Sequence, residues 1–273
     1  MSAIPEIRPG QSIELLKALH ILTRDGKLNQ DSRRKLKQVH HLCHFIEPLL
    51  AEIAASGSSL TLVDHGAGKS YLGFLLYDLF FSHRDQGHIY GVESRAELVE
   101  HARSLAGRLA FTRMSFLNLR VENAIESPDL PARVDIVTAL HACDTATDDA
   151  IRFALHKQAK FIVLVPCCQA EVAGVLRRRK GESLAQTPLS ELWRHPIHTR
   201  EFGSQLTNAL RCLQLEAQGY QLTVTELVGW EHSLKNELII ARHTGVARSN
   251  ATTRLEQILQ QLNLDELRAR FIY

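Results

Sequence analysis

Val63-Asp64-His65-Gly66-Ala67-Gly68-Lys69-Ser70 is the stretch on which the fold turns. An apolar run, Leu60 to Val63, leads into it, and an amphipathic segment, Tyr71 to Phe81, follows. That order reads as strand, glycine turn, helix. Gly66 and Gly68 allow a tight turn and a close approach of the backbone to a ligand. The helix N-terminus adds free N–H groups and a partial positive charge. Asp64, at the strand end, suits a ligand that carries a positive group or hydrogen-bond donors, not a phosphate alone.

Downstream, strand and helix alternate. His88–Val92, Ala110–Leu117, Val134–Leu140 and Phe161–Val165 read as strands. Arg95–Leu109, Thr145–Leu155 and Ala170–Arg179 read as helices, with Thr145 and Asp148 spaced as a capping box. A longer helix, Phe202–Gln218, precedes two strands, Tyr220–Leu227 and Glu237–Ala241. No helix separates those two, so a hairpin makes the last strand antiparallel to its neighbour. Repeated strand–helix units predict an α/β fold, a mostly parallel sheet with helices on both faces.

Upstream, Ser12–Leu22 has helical spacing, and Asp31 is placed to cap a helix through Leu36, Val39, Leu42, Phe45 and Leu49. Gly57-Ser58-Ser59 closes that region. The expected organisation is a helical extension over 1–57, a ligand-binding domain over 58–245, and a helical tail over 246–273 that carries Leu255, Ile258, Leu259, Leu262 and Leu267.

The chain has 273 residues, 45% of them hydrophobic, enough for one large core with appendages. A net charge of +2 does not by itself imply nucleic acid. No apolar run approaches the roughly 18 residues of a membrane span. Five cysteines without an apolar leader predict reduced thiols and a cytoplasmic location. His40 and His44 are spaced to share a metal, but no third ligand follows, so no metal is expected.

Ligands of such sheets bind at the carboxyl ends of the strands. That rim gathers Asp64, Glu93, Leu117–Asn118, Leu140–Asp144 and Pro166–Gln169. Three ligands compete for it. A phosphate-wrapping P-loop ends in Gly-Lys-Ser, as here, but its leading glycine would fall at Val63. A dinucleotide turn needs a third glycine where Tyr71 stands, and a tyrosine obstructs the close helix–strand packing. S-adenosylmethionine (SAM) fits better, because its ammonium and sulfonium suit an acidic strand end. Glu93, closing the second strand, can accept both ribose hydroxyls with its two oxygens.

Asp64-His65-Gly66-Ala67-Gly68-Lys69 and Tyr90-Gly91-Val92-Glu93 resemble the first two motifs of class I SAM-dependent methyltransferases. Ala139-Leu140-His141-Ala142-Cys143-Asp144-Thr145-Ala146-Thr147-Asp148, Val165-Pro166-Cys167-Cys168-Gln169 and Ser233-Leu234-Lys235-Asn236 narrow this further. They are similar to a methyltransferase-domain family marked by the His-Ala-Cys-Asp block. That family includes the methyltransferase part of a glutathione S-transferase C-terminal-domain protein, and is distantly similar to tRNA 2′-O-methyltransferases. The resemblance spans about Lys35 to Arg242. It implies a Rossmann-like seven-stranded sheet with SAM as cofactor over strands one, two and four. It implies that Asp64, Gly66, Ala67, Gly68, Lys69, Glu93 and His141 hold that cofactor. The loop after strand three, Val121-Glu122-Asn123-Ala124, would hold the adenine, Asn123 and Ala124 foremost.

Methyl transfer is an in-line displacement that relies on positioning and desolvation. His141 is placed to take the acceptor's proton, since an ordinary imidazole titrates near neutrality. Asp144 would orient it, or else cap the following helix. Cys143, Pro166, Cys167, Lys235 and Asn236 are the expected acceptor-side residues. A zinc deaminase arrangement lacks its Glu and its Cys-x-x-Cys here. Of the acceptors, RNA is favoured over a protein or a small molecule. Arg33, Arg34, Lys35 and Lys37, with Arg177, Arg178, Arg179 and Lys180, supply cations for phosphates. A SAM-binding protein without turnover is the remaining alternative.

Overall fold

The computed structural model describes residues 6–57, 59–140, 142–166, 169–179, 188–227 and 237–273. Two helices come first, α1 (Ile13–Ala18) and α2 (Gln30–Ala55). Then follow β1 (Thr61–His65), α3 (Tyr71–Leu79), β2 (His88–Glu93), α4 (Ala96–Arg108), β3 (Met114–Asn118) and a single turn, α5 (Val121–Ala124). The second half continues with β4 (Ile136–Ala139), α6 (Thr145–His156), β5 (Phe161–Leu164), α7 (Glu171–Arg178) and α8 (Pro196–Ala217). It closes with β6 (Tyr220–Glu226), β7 (Glu237–His243), α9 (Ala251–Gln261) and α10 (Arg268–Phe271).

The seven strands form one sheet in the order β3-β2-β1-β4-β5-β7-β6. β1 to β5 pair in parallel, and β7 lies antiparallel between β5 and β6. This is the expected Rossmann-like α/β architecture. The order reverses between β1 and β4. Such a switch point opens a crevice at the carboxyl ends of the two strands.

Strand alternation distributes the core. Leu62, Ile136 and Phe161 enter one cluster with α1 to α4, while Val63, Val137 and Ile162 enter a second with α6. The N-terminal helices therefore extend the first core layer. A third cluster joins α7 and α8 to the tail through Val172, Leu210, Leu255, Leu259 and Phe271. No helix of the described residues is long and apolar enough to cross a membrane.

Four expectations need correction. Asn29, not Asp31, caps α2: its side chain accepts the Ser32 N–H. β3 starts at Met114, because Ala110 sits in a left-handed turn (φ 55°) that ends α4. α8 starts at Pro196, whose missing N–H costs nothing in a first helical turn. The tail is not one helix: Asn263 takes φ 51° and breaks it after α9.

Candidate functional site

β1 delivers Asp64 and His65 to the switch point, and the glycine turn follows. Gly66 (φ +63°) and Gly68 (φ +57°) both occupy the left-handed region that glycine alone enters freely. A Cβ on Gly66 would lie 3.3 Å from Ala142 Cα and N, so the turn is pressed against the backbone at Ala142. β2 fixes it from the other side. The Ala67 N–H donates to the Val92 carbonyl (3.1 Å) and the Gly68 N–H to Glu93 Oε2 (2.8 Å). Lys69 is exposed and points no charge into the core.

Asp64 is buried and bridges the switch point. The Thr138 hydroxyl of β4 donates to its Oδ1 at 2.6 Å. Burial pushes its carboxyl up; the Thr138 bond opposes that and the Glu93 charge adds to it, leaving it at about 7. His65, on the opposite face of β1, is fully buried edge-on to Phe153, with both ring nitrogens unpartnered. Burial lowers its pKa to about 3 and keeps it neutral.

Glu93 closes β2. Its Oε1 accepts the Arg95 N–H and Nε, both at 3.0 Å, and its Oε2 accepts Arg95 Nη2 at 3.3 Å beside the Gly68 bond. Burial pushes this carboxyl up, but the Arg95 and Gly68 donors outweigh it and hold it below the ordinary range. The end of β3 is tied to the same corner, with Asn118 Nδ2 donating to the Glu93 carbonyl. Beyond it, Asn123 is exposed on α5. Ala124 is buried in the second core cluster.

On the far side of the switch point, the structure gives Asp144 a role in the backbone. It takes φ 51° and ψ −122°, a strained conformation for a residue with a side chain. Three contacts hold it there. Its Oδ1 accepts the N–H groups of Ala170 (2.9 Å) and Glu171 (3.2 Å), capping α7, and its carbonyl accepts Arg211 Nη2 (2.8 Å). Thr145 and Asp148 form no capping box. Thr147 instead donates to the Ala142 carbonyl (2.5 Å), and Asp148 receives Arg211 Nε and Nη2 at 2.7 and 2.8 Å.

Arg211 is 0% exposed and is the hub of this side. Its Nη1 reaches Asn208 Oδ1 (3.2 Å), which also accepts Gln169 Nε2 (3.3 Å). Asn208 Nδ2 donates to Glu237 Oε2 (2.6 Å). The segments after β4 and β5 and the start of β7 are thus joined through one helix. Cys143 is exposed at this wall and Pro166 is buried. His141, Cys167, Lys235 and Asn236 lie outside the described residues. Sequence reasoning passed over Arg95, Asn208 and Arg211. The signal for the last two was a polar pair at helical spacing, i and i+3, on the same stripe as the buried Leu215.

The expected cations divide in two. Arg34, Lys37 and Arg177 are exposed. Arg33 pairs with Glu6, and Arg178 and Arg179 both pair with Glu266 of the tail. Lys180 lies outside the described residues, as does the Lys35 side chain.

A family model described as a methyltransferase domain matches residues 34–175. Among solved structures, one assigned as an O-methyltransferase from Klebsiella pneumoniae shares 14% identity, with a TM-score of 0.52 over 88% of this chain and 93% of that one. The magnesium protoporphyrin IX methyltransferase of Synechocystis, with SAH bound, shares 14% identity at 0.44, over 86% and 95%. An rRNA methylase of Streptococcus thermophilus shares 10% at 0.44, over 74% and 95%. At such identities the likeness is one of fold. No curated protein matches the chain in sequence.

Proposed function

The chain belongs to the methyltransferase-domain family, and from that premise we propose that it uses S-adenosylmethionine to methylate an acceptor at the carboxyl rim, with RNA the favoured acceptor. The observation that carries the cofactor reading is the charge pattern at the switch point. A buried carboxylate, Asp64, and a second one, Glu93, flank a turn whose two glycines, Gly66 and Gly68, present bare backbone. Two acids would repel a pyrophosphate. They suit an ammonium and a ribose diol.

Bound there, SAM supplies an electrophilic methyl group. Asp64 accepts from the ammonium while Thr138 orients its other oxygen. Glu93 takes the ribose hydroxyls, and the Gly68 N–H fixes the carboxylate. Ala142 and Gly66 pack backbone to backbone beside the cleft. His141 accepts the acceptor's proton, and Asp144 acts as a positioning residue that shapes this turn. Cys143 and Pro166, with Cys167, Lys235 and Asn236, form the acceptor side.

RNA is favoured by exposed Arg34, Lys37 and Arg177 and by the resemblance to tRNA-modifying enzymes. The test is calorimetry with SAM and with ATP, followed by transfer of a labelled methyl group into RNA, protein and metabolite fractions. SAM binding and label in RNA are expected. ATP binding without SAM binding overturns the cofactor reading, and label in protein alone overturns the acceptor. Glu93→Ala should weaken SAM binding by about tenfold to a hundredfold, the usual effect of losing hydrogen bonds to a charged group. His141→Ala should lower turnover more than SAM affinity; unchanged turnover removes it from the reaction.

A further inference from the structure

Glu93 is given the ribose, yet its oxygens are already full. Five donors converge on them: the Gly68 N–H, the Arg95 N–H, Arg95 Nε and Nη2, and the Ser94 hydroxyl at 3.4 Å. A carboxylate offers about four lone-pair directions. No acceptor site remains for a pair of ribose hydroxyls while the Arg95 side chain stays.

The guanidinium also takes up space. A Cβ placed on Gly68 would be 3.9 Å from Arg95 Nη2, so the cation lies over the glycine turn. That is the surface the absent glycine side chains leave open for a ligand. The Arg95 side chain is 60% exposed, whereas that of Glu93 is 7% exposed. One partner is therefore free to swing into water and the other is fixed at the site.

We propose that Arg95 is an affinity-setting residue of the cofactor site: its guanidinium occupies the ribose position on Glu93 in the ligand-free protein and must leave when the cofactor binds. The inference rests on the reading of Glu93 as the ribose acceptor. Two states follow, one with the carboxylate paired and one with it free, and only the free state takes the ligand. The apparent affinity then falls by the fraction of time the site is open. An ion pair with one exposed partner opens readily, so the effect is modest, about fivefold.

The test is calorimetry with SAM on five proteins: wild type, Arg95→Ala, Arg95→Gln, Glu93→Ala and the double variant Arg95→Ala with Glu93→Ala. Arg95→Gln serves as a second substitution at the same position that keeps the stem's packing. Both Arg95 variants should bind SAM about fivefold more tightly than wild type. In the Glu93→Ala background, removing Arg95 should change nothing, because the competition runs through that carboxylate alone. Equal or weaker binding by both Arg95 variants overturns the proposal. So does an equal gain in both backgrounds, which would mark a general effect of charge. If no variant and no wild type binds SAM, the cofactor reading itself falls and the assignment of Arg95 falls with it.

Discussion

Replacing Asp148 with alanine is expected to destabilise the protein by about 3–5 kcal/mol, the usual cost of removing one partner from a buried ion pair. Arg211 is 0% exposed and Asp148 3%. The two make a bidentate contact, and without the carboxylate the guanidinium keeps, among the described residues, the Asp144 carbonyl and Asn208 Oδ1. An unpaired charge cannot reach water from that depth. The measurement is the midpoint of urea unfolding. The double variant Asp148→Leu with Arg211→Met should recover most of the loss, since replacing both ions by apolar groups is often near neutral. It should not recover all of it, because the Asp144 carbonyl still loses its donor. A single-variant cost under about 1 kcal/mol would mean that water enters this pair and that it behaves as a surface contact.

That pair also shows where the sequence stopped being readable. β1 was legible because its signals are local: an apolar run, an acid and two glycines in order. The same holds for Glu93 at the end of β2 and for the reversal of β7. α8 announced itself less clearly, since its first turn is Pro196-Ile197-His198-Thr199 and only one of those residues is strongly apolar. Asp148 was read against Thr145, three positions away, as a capping box, and Asp144 against His141 or the helix that follows it. Their partners stand much further along the chain: 26 residues to Ala170 for Asp144, and 63 to Arg211 for Asp148. Spacing rules report contacts within one element, and these contacts join elements. Arg95 was passed over because a basic residue before a helix normally faces solvent, and nothing local says that it folds back.

Asp64→Asn is expected to make the protein more stable and to weaken its binding of SAM, with both effects growing with pH. Burial holds the native carboxyl at about 7 against an ordinary 3.8. The native state therefore keeps a proton that the unfolded chain gives up. Below the unfolded value both states are protonated and nothing is lost. As pH rises from there through about 7, stability falls by about 1.4 kcal/mol for each pH unit, then levels off. The full loss is about 4 kcal/mol at alkaline pH. Asparagine has no proton to lose, and its amide oxygen still accepts from Thr138. Its advantage in urea unfolding should grow by about 2 kcal/mol between about pH 5.5 and pH 8.5. Binding runs the other way. A cationic ammonium asks for the ionised carboxylate, so it lowers the Asp64 pKa and SAM affinity rises with pH through about 7. In Asp64→Asn that slope should vanish along with most of the affinity. The two measurements constrain each other: a stability gain that does not change with pH would show that Asp64 is already ionised in the native state. The wild-type affinity would then be flat as well. Asp64 is thus a charge the fold tolerates at a cost, which the amino group of the cofactor offsets when it binds.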